Sequence, residues 1–266
     1  NGLFCPPVKM EKYRLNLLKT CAFDSLFQVI ISAMASNNVY YEILEKSTNQ
    51  TILLALKILK DKKELTVASY KQRADILSGL GLFKIETFTR TIKRIDCECN
   101  VVHLAQYLCS DIPSYKTKVF CSCGYNFNTQ NVTLSVDVDL LLCQGFSFMQ
   151  QAIDNGCTMQ RTCRNCRKSI EDEIKYGPHV IIDTTVLTDH RYTTKNKDLY
   201  HTLDSIAKIV KIKNRTYSLA GLVSWSSEHY IGYAKVGIYW YEYDDIGPTR
   251  ETVNPNKVIQ PHLILY

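Results

Sequence analysis

No apolar run in this chain of 266 residues approaches 18, the length from which a segment reads as a membrane-spanning helix, so no membrane association is expected. The first thirty residues lack the small-residue cleavage site of a secretory leader, and none is expected. No repeat of fixed period and no low-complexity tract occurs, which excludes solenoids and disordered arrays. Lys and Arg outnumber Asp and Glu by 32 to 26, a net charge of +6, yet they form no dense basic block and no basic stripe interleaved with aromatics. Nucleic acid is therefore not an expected partner, and the surplus favours acidic partners only weakly.

Cysteine, by contrast, is abundant. There are 11, an odd number, in a chain far larger than disulfide-stapled scaffolds, so at least one thiol stays unpaired. Two short-spaced pairs, Cys121-x-Cys123 and Cys163-x-x-Cys166, are spaced to share one metal, whereas cysteines so close in sequence rarely bridge each other. A reducing compartment follows, cytoplasm or nucleus. The sequons at Asn49, Asn131 and Asn214 are then expected to be chance matches.

A composition that is 45% hydrophobic and 22% charged suffices for a sizeable core. Residues 1 to about 110 hold few Gly or Pro and read as helical, and the pattern changes near Ser110 to Pro113. Phe23, Leu26, Phe27, Ile30, Ile31 and Met34 recur at helical spacing, predicting a buried helix from Ala22 to Ala35, with a stop at Ser36-Asn37-Asn38. Further helices are expected over Thr51 to Lys60, Val67 to Ser78, Val101 to Leu108 and Phe148 to Asp154. Strands are expected over Lys116 to Cys121, Val132 to Val138, Ser169 to Lys175, His179 to Asp183, Ile206 to Ile212, Tyr217 to Trp225, Tyr230 to Val236, Ile238 to Tyr243 and His262 to Tyr266. The class is α+β, with a helical half and a large antiparallel sheet as lobes of one domain.

Cys21 stands directly before the most hydrophobic helix. A thiol there feels the positive end of the helix dipole and unpaired N–H groups, which favour the nucleophilic thiolate. On position alone a free cysteine is more often a buried core residue, so a partner base is needed. His229 opens the strand His229-Tyr230-Ile231-Gly232-Tyr233, and a turn at Lys235-Val236-Gly237 returns the chain toward Asp244-Asp245. This pairing brings Asp244 beside His229, where a carboxylate orients the imidazole. Asp245 is the weaker acidic candidate.

These residues carry a resemblance. Asn16 to Gln28 is similar to the Cys box of the ubiquitin-specific proteases, a papain-like branch of cysteine deubiquitinases, with Asn five residues before the nucleophile and Gln seven after. His229 to Asp245, with Trp240 four residues before Asp244, resembles their His box, and His262-Leu263-Ile264-Leu265-Tyr266 resembles their closing strand. The resemblance implies a papain-like fold of ubiquitin-specific protease type, with a helical thumb, a β-sheet palm and zinc-bearing fingers. It implies one catalytic domain over residues 1–266: thumb over 1–112, fingers with part of the palm over 113–176, and palm over 177–266. Cys21 is then the nucleophile, His229 the base, Asp244 its orienting partner and Asn16 a donor to the oxyanion.

The two cysteine pairs fall where this family carries its fingers, so Cys121, Cys123, Cys163 and Cys166 are expected to hold one structural Zn²⁺. Cys97-x-Cys99 is an alternative pair, with ordinary free thiols the simpler reading of both. The activity implied is hydrolysis after the C-terminal Gly-Gly of ubiquitin by a monomer whose partners are the modifier and its conjugates. Ala22-Phe23-Asp24 stands where the family usually has Tyr-Met-Asn, and Glu228 where it usually has Gly. Asp24 also resembles the branch of this fold that removes SUMO, so a SUMO isopeptidase is the alternative. A silent ubiquitin-binding module and a zinc-dependent nucleic-acid binder are further readings, the first disfavoured by the intact Cys, His and Asp. Opening at Asn1 without Met, the chain is expected to be an excised domain or a processed fragment.

Overall fold

The computed structural model describes residues 6–61, 66–157, 162–185, 201–247 and 250–266. The chain forms two compact units, each made of segments distant in sequence. One takes residues 1–108 with 220–254, the other 109–219 with 255–266. Helices and predominantly antiparallel sheets make a mixed α+β protein, as expected.

The first unit is built on the helix Cys21–Ser36, here α1. Its Phe23, Leu26, Ile30 and Met34 are almost completely buried, the stripe that the spacing predicts. The helix lies on an antiparallel sheet ordered Glu251–Val253, Tyr239–Tyr243, His229–Val236, Gly221–Ser226. Close approach depends on Gly232, where a Cβ would stand 2.8 Å from the Ser25 carbonyl oxygen, and Ser25 Oγ donates to the Tyr230 carbonyl at 2.9 Å. This seating sets the start of α1 near the start of the His229 strand.

The helices Gln50–Lys60, Val67–Gly79 and Val101–Leu108 stand where periodicity puts them. An additional one, Asn38–Leu44, begins where a stop is expected. Asn37 ends α1 and caps its successor, its side chain accepting from Tyr40 N. The mainly helical reading of residues 1–110 is modified by a four-stranded sheet containing Val8–Lys9, Arg14–Leu18, Ile92–Asp96 and Ile85–Thr87. Arg14–Leu18 runs parallel to Ile92–Asp96, and its Leu15 and Leu17 are buried while Arg14 is exposed. Such short period-two runs are easily absorbed into neighbouring helical patterns.

In the second unit Phe127–Asn131, Tyr115–Phe120 and Glu171–Tyr176 form a three-stranded antiparallel sheet. Ile209–Ile212 and Arg215–Ser218 make a hairpin. The expected strand from Val132 to Val138 shrinks to Thr133–Leu134, because Asp137 accepts from Leu140 N and starts the helix Val138–Gln144. The single strand expected from Tyr217 to Trp225 divides into Arg215–Ser218 and Gly221–Ser226, which belong to different units.

Candidate active site and cysteine cluster

Cys21 is the first residue of α1. His229 opens its strand directly after the turn Ser227-Glu228, whose residues both have positive φ, 49° and 63°, and it pairs across the hairpin with Ser226. Asp244 follows the strand Tyr239–Tyr243 and is fixed by an Asx turn in which Ile246 N donates to Oδ1 at 3.0 Å. The same oxygen lies 2.8 Å from His229 Nε2. With Nε2 engaged by the carboxylate, Nδ1 is the nitrogen left for the thiol.

Asp245 Oδ1 lies 3.2 Å from Nε2 yet forms no hydrogen bond, so this contact is electrostatic. The Asp245 side chain is 9% exposed against 32% for Asp244, and burial, followed by the charge of Asp24, raises its pKa. His229 moves up to about 9. The hydrogen bond shared with Cys21 is the largest cause, opposed by desolvation and reinforced by Asp244 and Asp245. The arrangement favours an imidazolium beside the sulfur.

One cleft is lined by Cys21, His229 and Asp245, with Cys99, Asn100 and the carboxylates Glu98 and Glu228. Lys19 forms ion pairs with Asp96 and Glu98 at its edge. Tyr230 packs against Trp225 at a tilt of 59°, with centroids 4.5 Å apart. Asn16 stands apart from this lining, in the strand Arg14–Leu18 with Arg94 as its register partner. Asn100 lines the cleft instead. Its Oδ1 accepts from Val102 N and His103 N, so it reads in sequence as a cap and gives no sign of the cleft.

In the second unit Cys121, Cys123, Cys163 and Cys166 present sulfurs all within 4.8 Å of one another. Three of the separations are 3.4, 3.4 and 3.8 Å. Four thiolates about 2.3 Å from one zinc ion in a tetrahedron stand about 3.8 Å apart, so the donor set fits. The residue after each pair turns the chain back with positive φ, Gly124 at 86° and Arg167 at 61°, and the tight Cys121-x-Cys123 spacing is accommodated. The backbone N–H of Tyr125 is the main cause that pulls Cys123 down to about 6, and that of Cys166 lowers Cys163. Cys97 and Cys99 belong to the other unit, and burial pushes both up to about 12.

No family model and no curated protein matches the sequence. Among solved structures the chain is similar to the papain-like protease of MERS coronavirus, with 12% identity and a TM-score of 0.43 over 98% of this chain and 67% of that one. It is also similar to the Saccharomyces cerevisiae PAN2 pseudoubiquitin-hydrolase, at 14% identity and a TM-score of 0.40 over 92% and 81% of the two chains. A third similarity is to the SAGA Ubp8/Sgf11/Sus1/Sgf73 DUB module bound to ubiquitin aldehyde, at 13% identity and a TM-score of 0.35 over 93% and 67%.

Proposed function

We propose that the chain is a cysteine isopeptidase of ubiquitin-specific protease type that hydrolyses the bond after the C-terminal Gly-Gly of ubiquitin. The observation that carries this reading is Cys21 and His229 lining one cleft, with the ring held through Nε2 by Asp244 at 2.8 Å and its pKa raised chiefly by Cys21. The Cys21 thiolate attacks the scissile carbonyl, and the His229 imidazolium gives its proton to the departing lysine amine. Water, deprotonated by the then neutral His229, hydrolyses the thioester. Asp244 holds the ring through Nε2 and stabilises its charge. Uncapped N–H groups at the start of α1 are placed to receive the oxyanion, and Asn16 is a further donor in this reading.

Glu228 at the cleft favours the arginines that precede the Gly-Gly of ubiquitin over the uncharged residues that precede it in SUMO. Cys121, Cys123, Cys163 and Cys166 hold one structural Zn²⁺, which supplies folding energy and takes no part in the reaction. The odd count of 11 cysteines and the metal-type spacing of two pairs support a reducing compartment, cytoplasm or nucleus.

A ubiquitin probe with a C-terminal electrophile tests the reading. A covalent adduct at Cys21, absent in Cys21→Ala, is the expected result. A SUMO probe reacting in its place transfers the activity to that modifier. No reaction with either leaves only a binding module.

A further inference from the structure

Thr20, the N-cap of α1, makes no side-chain cap bond to its own helix. Its hydroxyl donates to Asp24 Oδ2 at 2.7 Å and accepts from Arg73 Nη2 at 2.6 Å. Arg73, reaching over from the helix Val67–Gly79, also donates from Nε to Asp24 Oδ1 at 2.9 Å and from Nη2 to Oδ2 at 2.5 Å. The ion pair is enclosed, with side chains 8% and 13% exposed. Bidentate charge-assisted pairs of this kind fix geometry as well as charge.

Asp24 lies in the first turn of the helix that carries Cys21. An unpaired carboxylate there offsets the positive helix end and disfavours a thiolate beside it. A Thr20 hydroxyl engaged in capping would occupy one of the free N–H groups. Arg73 counters both effects, by neutralising Asp24 and by drawing the hydroxyl away. We propose that Arg73 is a positioning residue for the nucleophile, setting the charge and the free N–H donors at the start of α1. This rests on Cys21 being the nucleophile. The other charged or titratable groups around the two ends of this arrangement are Lys19, Tyr70, Asp96, Cys97, Glu98, Cys99, Glu228, His229, Tyr230, Tyr243, Asp244, Asp245 and Arg250, and they are the same in every variant below.

Iodoacetamide labelling of Cys21, followed by peptide mass spectrometry across pH, reads the thiolate without needing a substrate. Arg73→Met is expected to move the labelling midpoint up by about one pH unit, a tenfold loss of labelling below the midpoint. Adding Asp24→Asn is expected to reverse the shift while leaving the melting temperature low. Asp24→Asn alone, which leaves the guanidinium unopposed, is expected to move the midpoint down, and it keeps the test decisive if Arg73→Met does not fold. Midpoints that stay at the wild-type value in Asp24→Asn, or a shift in Arg73→Met that Asp24→Asn does not reverse, overturn the proposal and leave Arg73 as packing. Hydrolysis surviving in Cys21→Ala overturns the nucleophile assignment instead, whatever the labelling shows.

Discussion

At the scale of single residues, the proposed reaction makes the proton on His229 the group that sets how activity varies with pH. Its pKa is raised to about 9, first by the bond shared with Cys21 and also by Asp244. The imidazolium therefore persists through neutral pH, and its contribution to stability is complete below the unfolded value of about 6.5 and lost as pH rises through 9. Hydrolysis is expected to fall over the same alkaline range, because the leaving amine then lacks its acid. Asp244→Asn removes a raising influence, so the alkaline limb of kcat/KM should move to lower pH and the rate should fall. Asp245→Asn should disturb the limb less, since its oxygen makes no hydrogen bond to the ring. Equal displacement by both would divide the orienting role between the two carboxylates. Asn16→Ala is expected to lower kcat with little change in modifier binding; parallel losses would assign Asn16 to its strand.

Among the elements, the hairpin before His229 is the unusual one. A two-residue turn with positive φ at both positions is ordinarily filled by Asn-Gly, whereas Ser227 and Glu228 fill it here. Glu228→Gly should relieve on the order of 1 kcal/mol of backbone strain and so raise the melting temperature, even as it removes a charge from the cleft. Glu228→Gln keeps the strain and removes only the charge. It should weaken ubiquitin cleavage more at low salt than at high salt, and a loss independent of salt would exclude electrostatic attraction. Elements with one strong period were legible beforehand: α1 by its apolar stripe, and the strands around His229 by alternation. Arg14–Leu18, Asn38–Leu44 and Val138–Gln144 were not. Each is five to seven residues long, and pairing partners or a single capping side chain decide such segments more than their own pattern does. At the site, Cys21 and His229 declare themselves by chemistry at the ends of strong elements. Asn100 does not, because its place in the cleft follows from a helix that folds back from elsewhere in the chain.

Across the whole molecule, the two units answer to different chemistry. Buried His179 and His262 in the second unit are both held down to about 4, principally by desolvation. Each stays neutral in the fold and takes a proton once unfolded. The stability they protect is complete above about pH 6.5 and drains as pH falls from there toward 4. Urea unfolding across that range is expected to show the slope, and His179→Gln should flatten it. Acid release of a metal would leave the slope unchanged in that variant. Purified protein is expected to contain about one zinc per chain. Replacing any of Cys121, Cys123, Cys163 or Cys166 should lower stability sharply, structural zinc being worth on the order of 10 kcal/mol, and metal content near zero would remove the zinc reading.

The first unit is assembled from two stretches, 1–108 and 220–254, with the second unit's main stretch between them. Cys21 and His229 therefore leave a ribosome about 200 residues apart, on the order of 10 to 40 seconds at ordinary synthesis rates. Throughout that interval the growing chain carries a thiol with neither its base nor the sheet on which α1 sits. The order of synthesis itself then acts as a safeguard, keeping the proposed site unarmed until residues 220–254 have been made. A nascent chain stalled before residue 229 is expected to ignore the electrophilic ubiquitin probe, and extension through residue 254 should switch labelling on.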